Sequence, residues 1–249
     1  MTGLFVELKK GRHKKLWLVP LIFLVVLFLW SAYTYQNADA EDLAAGYTKM
    51  FYQVPLMNTM LMPVLLSVLA SRLCDMEIKG QTLKLLYTLQ QKGSFYDLKF
   101  VHECFYLLLF TIGECLLFPI SGKLYHFTEP LSLPLLLRHG VVLFLAGTVI
   151  LILQHILSLL CQNQIAPLFI GLAGAFLGLF SMFFPPALTR VLPWSYFGAF
   201  LPYGMEYDPA TRIMSFYELP FPIGLFIGYA VFGIVFYLVC RSIFLKKEV

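Results

Sequence analysis

The sequence has no nucleotide-binding loop. No G-x-x-x-x-G-K-[ST] stretch occurs in it, so no phosphate chain can be cradled there on backbone N–H groups. G-x-S-x-G and H-E-x-x-H are missing too. His102-Glu103 comes nearest to the zinc motif, but Tyr106 stands where the second histidine would be. Energy for any work must therefore come from outside this polypeptide, as an ion gradient or an ATPase subunit. Charge is also scarce, 13% of the 249 residues, against 59% hydrophobic and 16% aromatic, a balance foreign to soluble domains. The five cysteines, Cys74, Cys104, Cys115, Cys161 and Cys240, form no C-x-x-C pair and avoid the outer loops. They read as small buried apolar residues, and neither a disulfide nor a metal site is expected.

What the chain has instead is long apolar runs. Residues 16–35 supply about 20 such residues, enough for a helix to cross roughly 30 Å of hydrocarbon. Similar runs cover 51–73, 100–122, 135–161, 165–184 and 223–245. The expected fold is an all-α integral membrane protein of six transmembrane helices in a single domain, 1–249, with Pro55 and Pro63 kinking the second. A basic start, an apolar run and Ala38-Asp39-Ala40 imitate a cleavable leader, but the run is long and five more follow, so a retained first helix is expected. Before it, Leu4, Phe5 and Leu8 with Glu7, Lys9 and Lys10 suit an amphipathic helix on a membrane surface.

Orientation follows from the cations. With both termini in the cytoplasm, the outside keeps only Lys49, Lys123, Arg138, Arg190 and Arg212 of the 18 Lys and Arg. The outer loops hold Asp39, Glu41, Asp42, Glu129, Glu206, Asp208 and Glu218. The net charge of +4 thus belongs to the inner face, where lipid headgroups are the partner and nucleic acid is not.

One polar break interrupts the spans, residues 75–99. A helix can run from Gln81 to Gln91, with Gly80 ending the preceding helix and Gly93 stopping this one. Leu83, Leu86, Tyr87 and Gln90 share one face, widened by Leu85 and Leu89. So short a helix is marginal alone and needs either a groove on a partner or a lipid surface.

The order Glu77-x-x-Gly80-x-Thr82, then Gly93-Ser94-x-x-x-x-Lys99-Phe100, placed between two spans, resembles the permease subunits of type-2 ABC exporters. Arg72-Leu-Cys-Asp-Met-Glu77 followed by Gly80-x-Thr82-x-Lys84-Leu-Leu is most similar to the small permeases of bacterial lantibiotic self-immunity exporters. The resemblance implies a bacterial plasma-membrane location, two copies of a separate ABC ATPase that bind ATP and Mg, and a second permease, identical or paralogous. It implies no cofactor on this chain and no catalysis by it. It further implies that Gln81–Gln91 is a coupling helix seated in the ATPase, with Glu77, Gly80, Thr82, Leu83, Leu86, Tyr87 and Gln90 at the junction. The cargo it implies is a cationic peptide antibiotic expelled to the outside.

Within the spans, Glu103 and Glu114 lie about three helical turns apart and within roughly 20° on one face. Buried acids usually face a bundle interior or water. Each is a candidate for attracting a cationic peptide or a lipid headgroup; in the plainer reading Glu103 sits at the inner headgroup level and Glu114 is neutral or bonded to a neighbouring helix. His155 beside Gln154 reads as an interhelical hydrogen-bonding pair, ahead of a proton relay. Gly174-x-x-x-Gly178 and Gly224-x-x-x-Gly228 mark closely packed helices, within the chain or between two permeases. The stretch 185–222 is rich in Pro and aromatics, and in type-2 exporters the matching region dips back as short re-entrant helices. Trp194, Tyr196 and Tyr203 are there expected at headgroup depth, as a cargo-contacting lid or as interface anchors. Two rivals remain: a gradient-driven secondary transporter using Glu114, and an intramembrane enzyme built on Glu103, Glu114 and His155.

Overall fold

The structure is a computed structural model that describes residues 11, 14–80, 88–209 and 213–246. Six of its helices are long and apolar enough to cross a membrane. They are α1 (Leu18–Tyr35), α3 (Gly46–Lys79), α4 (Lys92–Leu124), α5 (Leu133–Leu160), α6 (Ile165–Phe180, extended by a 3-10 turn to Phe183) and α9 (Ile223–Lys246). Short helices α2 (Ala40–Ala44), α7 (Pro186–Thr189) and α8 (Tyr196–Ala199) lie in the connections. The expected second and third spans fall short of the observed helices, because α3 and α4 continue through flanks too polar for hydrocarbon.

The apolar composition sets the packing. Without water to drive helices together, association in lipid depends on close contact and on small residues. In the best apolar window of α3 67% of residues are buried, against 17% in α9, so α3 is central and α9 peripheral. Leu65 and Leu66 of α3, Leu107 and Phe110 of α4, and Val149 and Ile150 of α5 form the middle of the core. Leu16, just before α1, is tucked onto Leu69, Leu73 and Tyr106.

Pro55 and Pro63 both sit inside α3. A proline lacks the N–H that the carbonyl four residues earlier would use, so Pro63 leaves the Thr59 carbonyl without its helical donor. α6 packs against this stretch through glycine: a Cβ on Gly178 would stand 2.9 Å from the Thr59 carbonyl oxygen, and one on Gly171 would stand 3.0 Å from that of Pro63. The first glycine pair therefore packs within the chain. Gly224 and Gly228 of α9 have open space before them.

Between α6 and α9 lies a feature absent from the sequence reading, an antiparallel hairpin of β1 (Tyr203–Asp208) and β2 (Ile213–Glu218). Its register pairs Tyr203 with Glu218 and Asp208 with Ile213. Gly204 faces Tyr217 across the ladder, where a Cβ would come within 2.4 Å of the ring.

The break lies at the opposite end of the bundle from this hairpin. Gly80 caps α3, as expected. Residues 81–87, with Thr82, Leu83, Leu86 and Tyr87, lie outside the described residues, as does the proposed amphipathic stretch 4–10. Gly93 does not stop a helix; it is the second residue of α4. The chain is extended at Gln91 (ψ 138°) and enters α4 at Lys92. Gly93 serves close approach, since a Cβ there would stand 2.6 Å from Arg241 Nη2.

Candidate functional site: the polar break and two buried carboxylates

The two ends of the break are tied together inside the protein. Glu77, near the end of α3, is 4% exposed, and Lys99 of α4 is fully buried. Lys99 Nζ donates to the Leu73 carbonyl at 3.1 Å and lies 3.4 Å from Glu77 Oε1. The Phe95 ring lies beneath the ammonium at 5.3 Å. Spacing on two separate helices thus converts the Glu77 and Lys99 of the sequence motif into one buried ion pair.

A second clamp holds α4 to α9, and sequence reasoning missed it. Asp97 receives Arg241 in bidentate fashion, Nε at 2.7 Å and Nη2 at 2.9 Å, and the Tyr237 hydroxyl donates to Asp97 Oδ1 at 2.7 Å. The break is therefore fastened to the bundle on both sides, by Glu77–Lys99 towards α3 and by Asp97–Arg241 towards α9. Next to residues 81–87, Leu89 stands 73% exposed among the described residues.

Glu103 and Glu114 do share a face of α4, and that face meets α5. Both are fully buried. Glu103 takes His155 of α5, with Nδ1 2.9 Å from its carboxylate, and the rings of Tyr96 and Phe100 close edge-on over the imidazole. His155 is thus interhelical as expected, although its partner is Glu103; the neighbouring Gln154 side chain meets no hydrogen-bonding protein group among the described residues. Glu114 Oε1 accepts from Asn58 Nδ2 of α3 at 2.7 Å and lies 2.7 Å from His139 Nε2 of α5. Asn58 and His139 were not singled out in the sequence. The signal available was that each is a strongly polar side chain within or at the edge of an apolar run, in need of the same partner that a mid-span Glu needs.

Towards the hairpin end, a narrow cavity between Pro55, Asn58, His139, Phe197 and Phe200 leads from this cluster to the aromatic segment. Arg138 closes it, donating to the Phe200, Leu201 and Leu219 carbonyls with its guanidinium over the Phe221 ring.

The three aromatics assigned to an outer lid turn inward. Trp194 fills the groove over Gly174 and Gly178, where a Cβ on Gly174 would meet its ring at 2.3 Å. Tyr196 stacks on Tyr229 at 3.8 Å and its hydroxyl donates to the Arg190 carbonyl at 2.8 Å. Tyr203 is 7% exposed, packed with Phe51 and Phe118, and burial pushes its phenol above the ordinary range. The Tyr196 hydroxyl finds a protein partner while the Trp194 Nε1 has none among the described residues, and packing of all three rings holds the segment to the bundle. Met205, Tyr207, Met214 and Tyr217 of the hairpin are the exposed large side chains there.

Among the described residues this chemistry holds helices together. The family model for ABC-2 family transporter proteins matches residues 4–178, more than half of the chain and all of the break. No curated protein is a significant match. Six apolar helices, a break clamped at both ends and this match lead to one assignment: the chain belongs to the ABC-2 family of transporter proteins, as a multi-pass transmembrane permease of an ABC exporter whose ATP is hydrolysed by a partner subunit.

Proposed function

We propose that this permease expels a lantibiotic-type antimicrobial peptide from the bacterial plasma membrane, driven by an ABC ATPase dimer that seats the segment 81–91. The observation that carries the coupling part of this reading is the exposed Leu89 on a break whose flanks are fixed by a buried ion pair towards α3 and a half-exposed one towards α9. An apolar side chain in the open beside an apolar stripe at three-and-four spacing suits a groove on a soluble partner. The cargo part rests on the wording of 72–86 and its likeness to self-immunity permeases. Force applied at 81–91 would reach α3 through Glu77 and α4 through Lys99, so the two helices would shift as one unit.

Replacing Leu83 and Leu86 together by Asp puts charge into the proposed stripe. The expected result is loss of the ATPase from the purified complex, with the permease still in the membrane. Normal co-purification of the ATPase would overturn the coupling assignment. The gradient-driven reading fares differently in the same preparation, because it requires no stoichiometric ATPase at all.

Topology carries its own test. Single cysteines at 39–42 and 206–209 should react with an impermeant thiol reagent on intact cells, and those at 90–96 only after permeabilisation. Labelling of 90–96 from outside would reverse the orientation and remove the break from the reach of a cytoplasmic ATPase.

A further inference from the structure

We propose that Cys74, Glu103 and His155 form a binding site for one divalent transition-metal ion of the zinc type, joining α3, α4 and α5 near the end of the bundle that carries the break. The three residues come from three helices and all are buried. Their donor atoms, one thiol sulfur, one carboxylate oxygen and one imidazole nitrogen, lie within 4.8 Å of one another. Around zinc, bonds of about 2.0–2.3 Å in tetrahedral array set donors about 3.5 Å apart, so closing the site takes side-chain shifts of about an ångström. Positions 74, 103 and 155 are too far apart in sequence for any ligand spacing to show, which is why the cysteines read as inert.

Charge decides which ion. In an apolar interior an uncompensated charge costs several kcal/mol, so a fitting occupant leaves the cluster neutral. A thiolate, a carboxylate and a neutral imidazole total two negative charges, which a divalent ion cancels and a monovalent one does not. Sulfur and imidazole donors select zinc-like ions over magnesium or calcium, which take oxygen. Polar atoms stand ready nearby in sequence and space: His155 Nε2 and the Tyr96 hydroxyl, whose ring lies 4.5 Å from the imidazole, have no hydrogen-bond partner among the described residues. The Tyr96 hydroxyl can meet a water completing the ion's shell, and Nε2 is left to an outer-shell partner.

The test uses the full-length chain in mild detergent, stripped with a chelator and titrated with Co(II) and then Zn(II). One Co(II) per chain should bind with thiolate-to-metal charge-transfer absorption, and Zn(II) should bleach it. Cys74→Ser should abolish that band, and Glu103→Gln and His155→Gln should each weaken Zn(II) at least tenfold, while Cys240→Ser leaves binding unchanged. Thermal unfolding guards against a variant that merely fails to fold: Zn(II) should raise the melting temperature of the wild type and not of Cys74→Ser, both being folded without metal. Absence of a stoichiometric ion in the wild type, or a charge-transfer band retained in Cys74→Ser, overturns the site and leaves Glu103–His155 as a structural pair.

Discussion

Replacing Lys99 by Met should destabilise the permease by about 3–5 kcal/mol, the range for removing one partner of a buried ion pair. Lys99 is fully buried, so its loss takes the cation from beside a carboxylate that has little access to water. It also removes the donor to the Leu73 carbonyl and the charge above Phe95. Methionine fills the same apolar volume as the lysine stem, so the effect is one of charge and hydrogen bonding and not of a cavity. Thermal unfolding in detergent measures it, beside the yield of intact protein from membranes. The second arm is the double variant Glu77→Gln with Lys99→Met, which removes both charges and should recover most of the loss, since the two residues are in contact and their effects do not add. A single Lys99→Met variant as stable as the wild type would mean that the pair holds nothing. If the double variant regains stability but not peptide resistance, the pair transmits force as well as holding the helices.

What the sequence made legible, and what it did not, divides along the physics of the solvent. The six spans were readable because lipid demands long uninterrupted apolar runs, and no other fold tolerates six of them. Their ends were not, because α3 and α4 continue into polar sequence once outside hydrocarbon, where hydropathy no longer reports helix. The hairpin escaped for the same reason: 203–218 answers to cross-strand pairing such as Gly204 with Tyr217, and that signal is weak beside six apolar helices. Glu77 and Lys99 were found as separate letters of a motif; that they are one ion pair required two helices to be placed. The aromatic segment shows the limit of arguing from residue type. Trp, Tyr and Tyr at 194, 196 and 203 have the composition of an interface belt, yet Gly174 and Gly178 offer a groove into which the indole fits, and burial won. Asp97 and Arg241 lie too far apart in sequence to suggest one another, although each sat in plain view as a charge at the edge of a span.

At Glu114 the expected result is a wide separation between two substitutions. Glu114 Oε1 accepts from Asn58 and meets His139, so three spans converge on one oxygen. Glu114→Gln keeps a carbonyl at that place, able to accept both contacts, and turns its amide towards the Oε2 position, which has no hydrogen-bond partner among the described residues. The fold should survive with little change. Glu114→Leu removes the acceptor and leaves the Asn58 and His139 donors buried without one; at about 1–3 kcal/mol each the loss is about 2–6 kcal/mol. Differential thermal unfolding of both variants checks this, with expression in membranes as the companion reading. Full burial and two protein partners describe a residue that positions α3, α4 and α5, so under the proposed function the Gln variant should also retain peptide resistance and peptide-stimulated ATP hydrolysis. A stable Glu114→Gln permease that loses both would reverse this reading: the charge would then serve the transport cycle.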